Sequence, residues 1–179
     1  VEGMTGNPEI QNNNRTISIE VNDQVDIQTL RITRLQVTNE ASVYPDSAKC
    51  ITAQAFPEKG FASLDSLPST ADTRINFAGP VHFMLTTYQD YLWTVSVTQV
   101  FNRSIELSGQ VGNAIFDVKN QQAVVYVSED QSLKNITVKS MQLGSSIATT
   151  TPDPVTVKDF SRPVTFNVAA FGRTEQWTV

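Results

Sequence analysis

One short stretch occurs twice, and it limits the fold more than any other feature of the chain. Phe77-Ala-Gly-Pro-Val-His-Phe83 leads, after a turn, to Leu92-Trp93-Thr-Val-Ser-Val97. Phe160-Ser-Arg-Pro-Val-Thr-Phe166 leads in the same way to Gln176-Trp177-Thr-Val179. Each copy alternates apolar and polar residues, turns, and resumes on Trp-Thr-Val, which is the pattern of a β-hairpin. A chain that repeats a hairpin of this length is built from repeated units.

The repeat extends upstream at an offset of 106. Gly6-Asn7 matches Gly112-Asn113, and Val21 matches Val127. Ile32, Leu35 and Val37 match Val138, Met141 and Leu143. From the Phe-x-x-Pro-Val element the offset is 83, and it is 84 at the tryptophans, so the first copy carries about 23 additional residues between Asp46 and Arg74. The expected organisation is two homologous units, 1–108 and 109–179, with an insert near 49–74 in the first. The joint is placed near Ser108-Gly-Gln-Val-Gly112, where two glycines read as a break.

Within a unit, Thr16-Ile-Ser-Ile-Glu-Val21 alternates as a half-buried strand. Leu30 to Val37 reads as a further strand, with a bulge between Ile32 and Leu35 because apolar parity changes there. Helical periodicity is absent throughout. Short strands at turn-punctuated spacing give an all-β fold, two tandem immunoglobulin-like β-sandwiches, the first with an insertion. One cysteine, Cys50, leaves no intrachain disulfide and no cysteine-based metal site. Trp93 and Trp177, equivalent in the two copies, read as one buried core anchor per sandwich.

Chemistry-bearing motifs are few. A net charge of −5 with no basic run argues against nucleic acid as a partner. His82, the sole histidine, falls on the outward parity of Val81-His-Phe-Met-Leu85 and lacks a motif-supplied carboxylate partner. The acids Glu20, Asp23, Asp26, Glu129 and Asp130 fall at turns and form no calcium loop. No catalytic residue, cofactor or metal ligand is assigned, and an enzyme is not expected. The ligand-contact candidates are aromatic: Phe61 in the insert, with Tyr88 and Tyr91 in the first hairpin, and Tyr44 beside them. Phe56, Phe61, Leu64 and Leu67 should pack the insert onto its own unit. Asn14-Arg-Thr, Asn102-Arg-Ser and Asn135-Ile-Thr fit the N-glycosylation acceptor pattern.

No run of about twenty apolar residues occurs. The polar start at Val1 reads as a mature or trimmed terminus, which leaves export open, and Trp177-Thr-Val179 suggests a piece of a longer protein or a sheet edge.

Gly109-Gln-Val-Gly112, Ile136 to Leu143, Asp159-Phe-Ser-Arg-Pro-Val-Thr-Phe166 and Trp177-Thr-Val179, with their counterparts in the first unit, resemble the tandem immunoglobulin-like N-terminal modules of Bacteroidota-type surface lipoproteins. The resemblance covers nearly the whole chain outside 49–74. It implies an exported, lipid-anchored protein of the outer membrane or cell surface, with a downstream domain for carbohydrate binding or metabolism. Asp46-Ser-Ala and Asp65-Ser-Leu look like the O-glycosylation triplets of exported proteins in that group. The function so implied is a non-catalytic structural spacer associated with carbohydrate capture. Two alternatives stay open: a glycan- or protein-binding module using the insert and nearby aromatics, and a pilus or adhesin-type subunit.

Overall fold

The computed structural model describes residues 1–179 apart from Asn39 and Ala53, so Ala53 of the insert lies outside the described residues. The fold is all-β. The described residues form fourteen strands and four short 3-10 turns. No helix among them is long and apolar enough to cross a membrane. The chain divides into two compact units, Val1–Val100 and Phe101–Val179.

The first unit contains β1 (Glu9–Gln11), β2 (Thr16–Val21), β3 (Leu30–Arg31), β4 (Ser42–Pro45), β5 (Arg74–Ile75), β6 (Val81–Thr86) and β7 (Asp90–Gln99). Five of these make one sheet in the order β1-β2-β7-β6-β4. The β2–β7 pair is parallel and the other pairs are antiparallel. β3 and β5 form the opposing layer. Alternation decides what enters the sandwich: Val81 and Phe83 of β6 are buried, while His82 and Met84 face out. They meet Leu30 and Ile75 from the other layer, and burial of these apolar side chains is the main force holding the layers together.

The second unit repeats the plan with β8 (Ser104–Leu107), β9 (Ile115–Asp117), β10 (Gln122–Val124), β11 (Val138–Gln142), β12 (Thr149–Thr151), β13 (Thr165–Ala170) and β14 (Arg173–Thr178). Its sheet runs β12-β13-β14-β10-β9, with β10 and β14 parallel as β2 and β7 are. β8 and β11 form the facing layer. Trp177, Phe166 and Ile136 are completely buried at its centre.

The duplication reaches individual backbone bonds. Asn22 N–H donates to Gly3 carbonyl at 2.8 Å, and Ser128 N–H to Gly109 carbonyl at 2.8 Å. Phe77 N–H donates to Ile27 carbonyl at 2.7 Å, and Phe160 N–H to Leu133 carbonyl at 2.7 Å. Thr94 N–H reaches Arg15 carbonyl as Thr178 N–H reaches Gln121 carbonyl, both at 2.9 Å. Gly3 and Gly109 share φ of 64°, a conformation costly for other residues, and Arg15 and Gln121 share φ of 53°. The Phe-x-x-Pro element begins with an Asx turn in both copies: Asn76 Oδ1 accepts from Ala78 N–H, and Asp159 Oδ1 from Ser161 N–H.

Strand pairing places the insert. Tyr44 lies opposite Met84 and Thr151 opposite Asn167, so Pro45-Asp46 corresponds to Pro152-Asp153. Asp46 and Asp153 each cap a 3-10 turn, accepting from Ala48 N–H and Val155 N–H. Ile75 pairs with Leu30, and Lys158 carbonyl accepts from the matching Ile136 N–H. The additional residues are therefore 51–74. They pack on their own unit, with Phe56 and Phe61 buried and Leu64 and Leu67 half-buried against the core. Val43 and Phe61 exchange both backbone bonds, so the insert also covers the free edge of β4.

Three features differ from the sequence reading. The joint lies at Val100–Phe101 rather than 108–109, because β8 pairs with β11 of the second unit. The Gly109 turn belongs inside that unit. Leu30 to Val37 is not one regular strand: β3 ends at Arg31, and Gln36 resumes with a bridge to Ser63. The matching β11–β8 ladder shifts register between Val138 and Ser140. Trp177 is fully buried but Trp93 is only half-buried. Phe116 meets Trp177 edge-on at 6.2 Å, whereas its counterpart Ile10 is 56% exposed and covers nothing comparable.

Candidate functional site

The aromatic candidates do not come together. Phe61 is buried and stacks on Phe56 with ring centroids 5.4 Å apart. It is a core residue held by its pairing to Val43, so it offers no surface to a ligand. Tyr88 sits at the tip of the β6–β7 hairpin and is 93% exposed. Below it, Thr86 Oγ1 donates to Asp90 Oδ1 at 2.7 Å, which fixes the turn.

Tyr91 is half-buried, accepts a hydrogen bond from the Gln89 amide, and carries the Arg15 guanidinium 4.9 Å from its ring centroid. Cation–π contact of this kind occupies one face of the ring. Tyr44 is half-buried opposite Met84. Tyr88 is the most exposed aromatic group of the candidate set.

The base of the insert is clamped. Asp72 accepts from Arg74 Nε and Nη2, each at 2.8 Å, and from Thr52 Oγ1 at 2.7 Å. Ile51 N–H donates to Arg74 carbonyl at 3.0 Å, so both ends of the insert are joined. The Arg74 hydrogen bonds, followed by that from Thr52, hold the Asp72 carboxyl well below the usual carboxylate range. A lowered folded-state pKa stabilises above the unfolded value, near 4, and the contribution is lost as pH falls below it. Arg74 is 41% exposed, so water screens the pair and its contribution to stability is small. We expect the protection of the Ile51 amide, measured against the free-peptide exchange rate at the same pH, to fall as pH drops below about 4 in the wild type. Asp72→Asn should show the lowered protection already at neutral pH and no acid step; an unchanged profile in that variant would remove the clamp's role.

Cys50 is half-buried, and burial followed by the nearby Asp46 charge pushes its thiol up to about 11. It is a thiol, not a thiolate, at neutral pH, and no nucleophile follows from it. His82 faces out on β6, with Nδ1 3.2 Å from Thr94 Oγ1. Among the described residues no three His, Cys, Asp or Glu side chains converge as metal ligands would. The sequon residues Asn14, Asn102 and Asn135 are exposed.

A surface cleft that the sequence did not signal lies in the second unit. Its volume is about 670 Å³, and Arg103, Glu106, Gln110, Asn113, Phe116 and Lys139 line it. Much of this polar lining is already committed to the fold. Gln110 accepts from Leu107 N–H at 2.8 Å and donates to Gly112 carbonyl at 3.0 Å. Arg103 Nε donates to Leu143 carbonyl at 2.7 Å while its guanidinium lies 5.0 Å from the Trp177 ring. Comparison of the chain with protein-family models and with curated proteins gives no match.

Proposed function

We propose that the two units are a non-catalytic structural module, a stiff β spacer in an exported surface protein that takes part in carbohydrate capture. One observation carries this reading. The positions shared by the two units are spent on folding: turn glycines, capping aspartates, core apolar residues and matched backbone bonds. Among the described residues, no matched positions bring together a cluster of His, Cys, Asp or Glu side chains. Such a module works by presentation, holding a downstream domain away from a lipid-anchored N-terminal side.

This reading joins the immunoglobulin-like assignment and the likeness to Bacteroidota-type surface lipoprotein modules. Its partners are the downstream domain and, through it, a surface glycan. In the intact protein, replacing residues 1–179 by an unrelated rigid spacer of equal length should leave glycan capture at the cell surface within about twofold. Loss of capture after that exchange would mean the units contribute recognition themselves.

One observation favours a second reading, a glycan- or protein-binding module: Tyr88 stands almost fully exposed at the tip of the hairpin that also carries Tyr91. That reading gives the contact to the hairpin tip and not to Phe61. A pilus or adhesin-type assembly has no comparable support.

A further inference from the structure

We propose that the edge of the first unit formed by Arg34 and Gln36 is the acceptor for one added β-strand, supplied by a segment running in line with Val1. The inference goes beyond the spacer reading and does not depend on it. Its basis is a comparison that the molecule makes within itself.

In the second unit this edge is occupied. β8 pairs antiparallel with β11, Glu106 opposite Ser140, Ile105 opposite Met141 and Ser104 opposite Gln142. Ile105 and Leu107 point inward and are buried in the core. At the offset of 106, Ser140 and Gln142 correspond to Arg34 and Gln36. Their backbone groups have no hydrogen-bond partner among the described residues, and both residues are exposed.

Hydrogen-bond parity shows that the insert does not fill this place. Val37 N–H donates to Ala62 carbonyl and Leu64 N–H to Leu35 carbonyl. These two bonds flank the Gln36–Ser63 bridge, so the N–H and C=O of Gln36 point to the opposite edge. That opposite edge is the one on which β8 lies in the second unit. Unpaired strand edges of this kind are what β-augmentation uses.

The occupant follows from the course of the backbone at Val1 and Glu2. Glu2 N–H donates to Arg31 carbonyl at 3.0 Å, as Ser108 N–H donates to Thr137 carbonyl at 2.8 Å. Glu2 Oε1 accepts from Arg31 N–H at 2.9 Å, as Ser108 Oγ accepts from Thr137 N–H at 3.0 Å. Val1 packs on its core in the place that Leu107 takes. A strand continuing backward from Val1 therefore runs past Arg34 and Gln36. To match β8 it carries an apolar residue opposite Leu35 and polar residues on either side.

The test fuses the sequence of Phe101–Glu106 directly before Val1 of the full chain and follows amide exchange by NMR. Without the fusion, Arg34 and Gln36 should exchange at nearly solvent rates while Val37, bonded to Ala62, stays protected and reports that the unit is folded. With it, Arg34 and Gln36 should slow by roughly tenfold or more, and a fusion with aspartate in place of its isoleucine should restore fast exchange. Fast exchange in the first fusion overturns the proposal, as does slow exchange that survives the aspartate. Protection that grows with protein concentration also overturns it, because the strand would then be seated on a second copy.

Discussion

Trp177→Ala should destabilise the second unit by about 3–5 kcal/mol, whereas Trp93→Ala should cost the first unit clearly less. Trp177 is completely buried, its ring meets Phe116 edge-on, and the Arg103 guanidinium lies over it. Its indole N–H donates to Glu175 Oε2 at 3.1 Å. Removing it opens a cavity in a core whose other fully buried large residues are Phe166, Ile136 and Leu143. A unit this small has a total stability of about 4–12 kcal/mol, so the loss is a large share. Trp93 already meets solvent on one side, and truncating it removes less buried surface. Urea denaturation followed by NMR amide signals resolves the units: the midpoint for Phe101–Val179 should fall far more in Trp177→Ala than that for Val1–Val100 in Trp93→Ala. Equal losses would mean that the two tryptophans are packed alike.

Phe61→Ala should lower the stability of the first unit by about 3–5 kcal/mol, and Phe61→Leu by less than about 1.5 kcal/mol. The ring is 5% exposed, stacks on Phe56, and is anchored through two backbone bonds to Val43. Removing residues 51–74 would strip two phenylalanines from the core and uncover β4, so the fold is not expected to survive that deletion intact. A ligand contact would behave differently, with Phe61→Ala weakening binding at unchanged melting temperature. Thermal unfolding of the alanine and leucine variants separates the two roles.

Much of this architecture was legible because period-two patterning and turn chemistry are local. Thr16 to Val21 forms the strand its alternation implies, and the Phe-x-x-Pro copies form equivalent hairpins. The parity change between Ile32 and Leu35 also has its physical counterpart: Ile32 N–H and Leu35 carbonyl both face the β5 side, which requires one extra residue between them. What failed depended on distant contacts. The glycines at 109 and 112 read as a linker, but Gly109 is the left-handed turn that leads out of β8 inside the second unit. The burial of Trp177 over Trp93 depends on whether residue 116 or residue 10 lies across the sheet, and the Trp-Thr-Val motif carries no trace of that. Phe61 could not be assigned to core or surface from composition, since its place is set by an edge pairing eighteen residues back along the chain at Val43.

For the site, the sequence indicated correctly that His82 faces outward. The clamp on Asp72 and the cleft beside Arg103 left no local signature, because each joins residues separated by an insert or a strand.

The spacer account is tested most directly by screening the intact 179-residue chain against a glycan array beside its Tyr88→Ala and Tyr91→Ala variants. The account predicts no saturable binding by any of the three. Saturable binding by the wild type that either substitution abolishes would contradict it and make the hairpin tip a recognition site.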